Sequence, residues 1–199
     1  MKISSLCKQF SVLALALVSI PAWASSIEAP NPTGVPNFHQ VNDHIYRGGQ
    51  PSDEGLQALA KLGVKTILDL RREDEHSTKA EAQAVEAAGM RYVNVPMVGV
   101  VAPSDEQISK VLNLLDSNTE GPVFVHCRRG ADRTGTVIAC YRIAHDHWEN
   151  QKALEEAKSD GMSFLQIGMK RYVRGFRPTS ESAHATPDLR PSNAQGVSN

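Results

Sequence analysis

Apolar positions between Phe38 and Phe176 switch repeatedly between strict alternation and a recurrence every three to four residues. In "QVNDHIYRGG" the alternation through Val41, Ile45 and Tyr46 predicts a short strand or hairpin ahead of the Gly48-Gly49 turn. Ser52, after Pro51, can cap a helix whose apolar face is Leu56, Leu59, Ala60 and Leu62 and which Gly63 stops. Val64 to Leu70 reads as a buried strand. Thr78 and Glu81 have the spacing of a capping box that opens a second helix, closed by Gly89. "MRYVNVPM" predicts another strand. Ser104 and Gln107 repeat the capping-box spacing before a helix with Ile108, Val111, Leu112 and Leu115 on one face. Gly121-Pro122 punctuates the chain ahead of "VFVHC", a wholly apolar strand. A buried helix from Thr134 follows, and then two more, in "QKALEEAKSDG" and "SFLQIGMKRYVRGF". Strands alternating with helices predict an α/β fold, with a largely parallel central sheet covered by helices on both faces. Ligands in such sheets bind beyond the carboxyl ends of the strands, which is where Cys127 falls.

The ends of the chain have a different character. Lys2 and Lys8 precede an apolar run from Phe10 to Ile20, and Ala22-Trp23-Ala24 offers a small-x-small cleavage pattern. Residues 1–24 therefore read as a signal peptide, and the protein as exported, periplasmic or secreted, with no stable membrane span after cleavage. Residues 25–37, rich in Pro, Ser and Asn, read as an extended leader, 38–176 as one domain, and 177–199, with almost no apolar residue, as a disordered tail. The formal net charge is −1, and losing Lys2 and Lys8 makes the remainder slightly more acidic. Such a balance argues against a nucleic-acid partner. Beyond Cys7 only Cys127 and Cys140 remain, so no disulfide framework is expected.

In "VHCRRGADRTG", Val125 to Gly135, a cysteine and an arginine flank five residues between a strand and a helix. A loop entering a helix N-terminus turns backbone N–H groups inward and adds the positive end of the macrodipole, forming an anion cradle. Arg128, Arg129, Gly130, Ala131, Asp132, Arg133 and Thr134 supply that phosphate-binding loop. Gly130 permits a tight path, and the planar fork of Arg133 matches two phosphate oxygens. Positive dipoles around Cys127 favour thiolate over thiol. The loop would thus bind a phosphoryl group and attack it in line, giving a phosphocysteine that water hydrolyses. Thr134 places a hydroxyl where it can donate to the departing thiolate, and His126 either orients the loop or is a core histidine.

His126-Cys127, Gly130 and Arg133-Thr134-Gly135 resemble the active-site motif of the cysteine-based tyrosine and dual-specificity phosphatase superfamily. "YRGGQPS" and "GVKTILDLR" are similar to the first strands of bacterial and atypical dual-specificity members, so the resemblance spans Phe38 to Phe176. It implies a phosphorylated protein as substrate, a phosphoinositide or inositol polyphosphate as the alternative, and no metal or other cofactor. The superfamily's usual general acid is an aspartate on a loop before the cysteine, but Met90 to Pro103 contains no acid. Asp132, in a Gly-x-Asp-Arg arrangement like that of myotubularins, is the first candidate acid, against a merely dipole-complementing carboxylate. Asp105, at a helix start, is the second. Arg128 and Arg129 favour substrates with more than one anionic group. Arg71 and Arg72 read as surface partners of Glu73 or Asp74 in preference to supports for the loop, and Arg47 carries no firmer reading. A non-catalytic phosphate-binding module and a rhodanese-like sulfurtransferase are the competing classes; the arginine continuation of the loop argues against both.

Overall fold

The computed structural model describes residues 31–117 and 120–178. The signal peptide expected over 1–24, the first part of the leader and the tail from 179 onward lie outside the described residues. Residues 31–37 are no detached leader: Val35 is buried, and Gly34 and Pro36 accept backbone hydrogen bonds from Ser52 and Gly49. The domain therefore begins before Phe38.

Five strands form one sheet in the order β1-β2-β5-β3-β4. β1 (His39–Asn42) pairs antiparallel with β2 (Ile45–Gly48), while β3 (Thr66–Asp69), β4 (Arg91–Asn94) and β5 (Val123–His126) run parallel to β2. Register sets Ile67 beside Phe124 and Leu68 beside Val125. Because side chains alternate across a pleat, the two pairs serve opposite faces. Against Ile67 and Phe124 pack α1 (Asp53–Lys61) and α2 (Thr78–Ala87) through Leu56, Leu59 and Val85. Against Leu68 and Val125 pack α3 (Asp105–Ser117) and α4 (Asp132–Ala144) through Val111, Leu112, Val137 and Ile138. α5 (Asn150–Ser159) and α6 (Ile167–Gly175) cover the far side of α4. Sandwiched between sheet and helices, α4 buries nearly every residue, which accounts for its lack of a polar face.

Three helix starts differ from the sequence pattern. The Ser104–Gln107 box forms as expected, each side chain bonding the other's backbone N–H. At α2, however, Ser77 is the cap, with Oγ accepting from Ala80 N at 3.2 Å. Thr78 instead bonds Glu73, and Glu81 turns inward, because two buried basic groups outbid a helix end for its carboxylate. α4 starts at Asp132, two residues early, so Asp132 and Arg133 occupy its first turn. α6 starts only at Ile167, leaving Phe164 and Leu165 on an exposed loop.

Candidate active site

β5 lies between β2 and β3, so the loop after it opens at the centre of the sheet's carboxyl edge. Cys127 starts that loop and is 3% exposed. Gly130 adopts φ +73°, and a Cβ there would collide with the backbone of Gly48 and Gly49, so only glycine fits. Its carbonyl is drawn backward by Arg47 Nη2 at 2.8 Å and Asn37 Nδ2 at 3.1 Å. The Arg128 carbonyl is drawn back in the same way by the Gln50 N–H at 3.2 Å. With its carbonyls held behind it, the loop turns N–H groups toward the cradle. No side chain caps α4, unlike α1, α2 and α3, so its first N–H groups stay available to a ligand.

Arg133 is buried and fully organised. Nη1 and Nη2 donate to Glu75 Oε1 and Oε2 at 2.5 and 2.8 Å, and Nη1 also faces the carbonyls of Met97 and Leu70 at 3.1 and 3.4 Å. These partners take the outer end of the guanidinium and its Nη1 flank. The edge formed by Nε and the second Nη2 hydrogen is left for an anion, in the planar geometry that two phosphate oxygens require. Burial alone would lower the Arg133 pKa, but the bond to Glu75 and the interaction with Cys127 hold it above its usual value. The same bond to Arg133 holds the Glu75 carboxyl below its usual range. Glu75 was not singled out in the sequence, where Glu73, Asp74 and Glu75 stand together as a polar run indistinguishable by pattern.

Asp132, the first candidate acid, is engaged through both oxygens. Oδ1 accepts from Ser163 N at 2.8 Å, and Oδ2 from Arg129 Nη2 at 2.6 Å. The first bond ties the loop to the segment between α5 and α6. The second is weak, since Arg129 is 61% exposed and such pairs contribute about 0–1 kcal/mol. Arg128 is exposed as well. Thr134 Oγ1 is buried without a hydrogen-bond partner among the described residues. Asp105 is placed differently: it accepts from the Tyr172 hydroxyl at 2.7 Å and lines a cavity of about 560 Å³ between α3 and α6. Its contacts are with that wall and not with the loop.

Behind the loop lies a buried ionic cluster. Arg71, read from sequence as a surface pair, is in fact buried against Asp69 and Glu81, two buried carboxylates that need a cation beside them. Arg72 does form the surface pair, with Asp74. His126 is fully buried, with Nε2 3.3 Å from Glu81 Oε1 and 3.8 Å from Asp69 Oδ1, and its ring stacks on Phe124. His76 joins at 2.9 Å from Asp69. Burial alone would raise the Asp69 pKa, but His126 and Arg71 hold it below its usual value. Asp69, Glu81 and His126 present donor atoms within 4.8 Å of one another, a set that could surround a metal ion. The Arg71 guanidinium already lies against both carboxylates and supplies the compensating cation, so the set fits an ion poorly. Arg47 is a second buried support: Nη1 meets Asp160 Oδ2 at 2.7 Å while Nη2 holds Gly130. Cys140 is core, and burial pushes its thiol well up.

The family model for a "DSP-PTPase phosphatase fused to NAD+ Kinase" matches residues 17–175. The dual specificity protein phosphatase TpbA of Pseudomonas aeruginosa (strain UCBPP-PA14) is 30% identical over 141 residues, covering 71% of this chain and 60% of TpbA. The match thus spans less than two thirds of that relative's length. The inositol diphosphatase DSP5 of Arabidopsis thaliana is 31% identical over 147 residues, covering 71% of this chain and 70% of that protein. A crystal structure of P. aeruginosa TpbA in complex with pTyr superimposes with a TM-score of 0.62 at 29% identity, over 78% of this chain and 90% of that one.

Proposed function

The chain belongs to the DSP-PTPase phosphatase family, and on that premise we propose that it is a phosphomonoester hydrolase working through a phosphocysteine at Cys127, with phosphotyrosyl protein as its substrate. One observation carries the reading: Arg133 is clamped by Glu75 and interacts with Cys127, at the uncapped N-terminus of α4. A phosphoryl group seated there meets three kinds of donor: loop N–H groups, the helix terminus and the guanidinium. The sulfur attacks phosphorus in line, the ester oxygen departs, and negative charge spreads onto oxygens already surrounded by donors. Water then displaces the sulfur, and Thr134 Oγ1, unpartnered and buried, donates to the leaving thiolate.

The ester oxygen needs a proton. Asp132 is the proposed donor through Oδ2, since the weak Arg129 contact yields when a substrate's anionic groups draw that arginine away. Asp132→Asn is expected to slow a phenyl phosphate with a poor leaving group at least tenfold more than p-nitrophenyl phosphate. Equal slowing of both would leave Asp132 only its bond to Ser163. An inositol polyphosphate is the second substrate reading, favoured by exposed Arg128 and Arg129 at the mouth and by the likeness to an inositol diphosphatase. A panel of phosphotyrosyl and phosphoseryl peptides beside inositol polyphosphates decides between the two. The phosphotyrosyl peptide is expected to give the highest kcat/KM, and a tenfold advantage for the inositol polyphosphate would reverse the order.

A further inference from the structure

Two loops beside the cradle hold large apolar side chains in solvent. Val100 and Val101 follow β4, Phe164 and Leu165 precede α6 and Ile167 opens it; their exposure runs from 50% for Val101 to 81% for Phe164. The loops form one surface. Gln166 Nε2 donates to the Gly99 carbonyl at 2.9 Å, and Gly168 lies against the backbone of Val101 and Ala102. The surface is also fastened to the site, through Ser163 N to Asp132 on one loop and the Met97 carbonyl to Arg133 on the other. A contiguous apolar patch of this kind on a water-facing protein marks a docking surface.

The charges around it indicate the partner. Lys170, Arg171, Arg174 and Arg177 follow the apolar tip directly, and no acid occurs from Gly161 to Pro178, although the whole chain is net −1. Arg171, Arg174 and Arg177 are exposed, as are Arg128 and Arg129 in the cradle loop. Among the described residues no helix is long and apolar enough to cross a membrane, so any lipid contact of this region is peripheral. We propose that this face docks on an anionic lipid bilayer. Phe164, Leu165, Ile167, Val100 and Val101 enter the boundary between headgroups and acyl chains, and the cations of α6 lie against lipid phosphates. A bilayer offers apolar and anionic chemistry within a few ångströms of depth, and this segment exposes large apolar side chains and arginines within about one helix length of each other. Docked this way, the cradle meets phosphoesters held at the membrane surface.

The test uses the full chain and vesicles of phosphatidylcholine alone or phosphatidylcholine with phosphatidylglycerol. Phe164→Trp places a fluorophore in the patch; after subtraction of the parent protein's emission, brominated phosphatidylcholine-phosphatidylglycerol vesicles are expected to quench the added signal by at least half. Phosphatidylcholine alone should quench it little, and raising the salt should weaken the effect. A triple variant, Phe164→Ser, Leu165→Ser and Ile167→Ser, should bind the anionic vesicles at least tenfold less while hydrolysing p-nitrophenyl phosphate within twofold of the parent. Added emission that stays unquenched on protein pelleted with the vesicles overturns the proposal. So does a triple variant that binds as the parent does, or one whose only defect is against phosphotyrosyl peptides with apolar flanks, which would make the patch a peptide dock. Because p-nitrophenyl phosphate hydrolysis is read on the same samples, failure of lipid docking is distinct from failure of the phosphatase reading.

Discussion

Cys127→Ser is expected to lower the turnover of p-nitrophenyl phosphate by about 10⁴-fold or more, with little change in folding. The side chain sits at the start of the cradle loop, nearly sealed from solvent and interacting with Arg133, whereas the Glu75 carboxylate is tied up in its paired bonds to that arginine. A serine hydroxyl at neutral pH is un-ionised and a poor nucleophile without an adjacent base; Glu75 is held by Arg133, and Asp132, the proton donor of the same step, cannot also take a proton in it. Because the change replaces a single atom by a smaller one, the melting temperature should stay within a few degrees. Phosphate release and thermal denaturation on one preparation check both halves. Retention of more than about one hundredth of the activity by a folded variant would remove the phosphocysteine from the mechanism.

Arg133→Lys is the second large effect, about 10³-fold in kcat/KM. The charge is kept, so an effect of charge alone would be small. What is lost is geometry: Arg133 satisfies both Glu75 oxygens and the Met97 carbonyl while also interacting with Cys127. A lysine ammonium has three donors at one point and cannot serve these partners and two phosphate oxygens together. Competitive inhibition by inorganic phosphate, measured beside kcat/KM, should weaken in parallel. A loss below tenfold in both would mean that the loop N–H groups and the α4 terminus suffice.

These expectations rest on parts of unequal visibility. The strand, loop and helix from Val123 to Ala144 are contiguous, and their meaning is local: apolar run, tight glycine, thiol and guanidinium at fixed separation. The strands were readable for related reasons, β3 and β5 as short buried runs and the first hairpin from its alternation ahead of the Gly48-Gly49 turn. The second Ser-x-x-Gln box formed because nothing competed for its side chains. Glu81 shows the limit of that reasoning, since Thr78 and Glu81 have the spacing of a cap, yet Arg71 and His126 lie across the sheet edge and draw the carboxylate away.

By itself the sequence determined the alternation of strands and helices, the thiol and guanidinium seven positions of chain from Cys127 to Arg133, and the want of an acid between Met90 and Pro103. Only the tertiary structure decided what holds those groups. Glu75, Asn37, Arg47, Asp160 and Asp69 come from separate segments, up to 123 residues from what they bond. It also decided that the helix expected over "SFLQIGMKRYVRGF" starts only at Ile167, with Phe164, Leu165 and Ile167 in solvent. The physical reason is range: backbone geometry and helix dipoles act within a turn or two of chain, whereas a buried charge pairs with whichever opposite charge the fold brings near, because leaving it unpaired costs more than any local preference can repay.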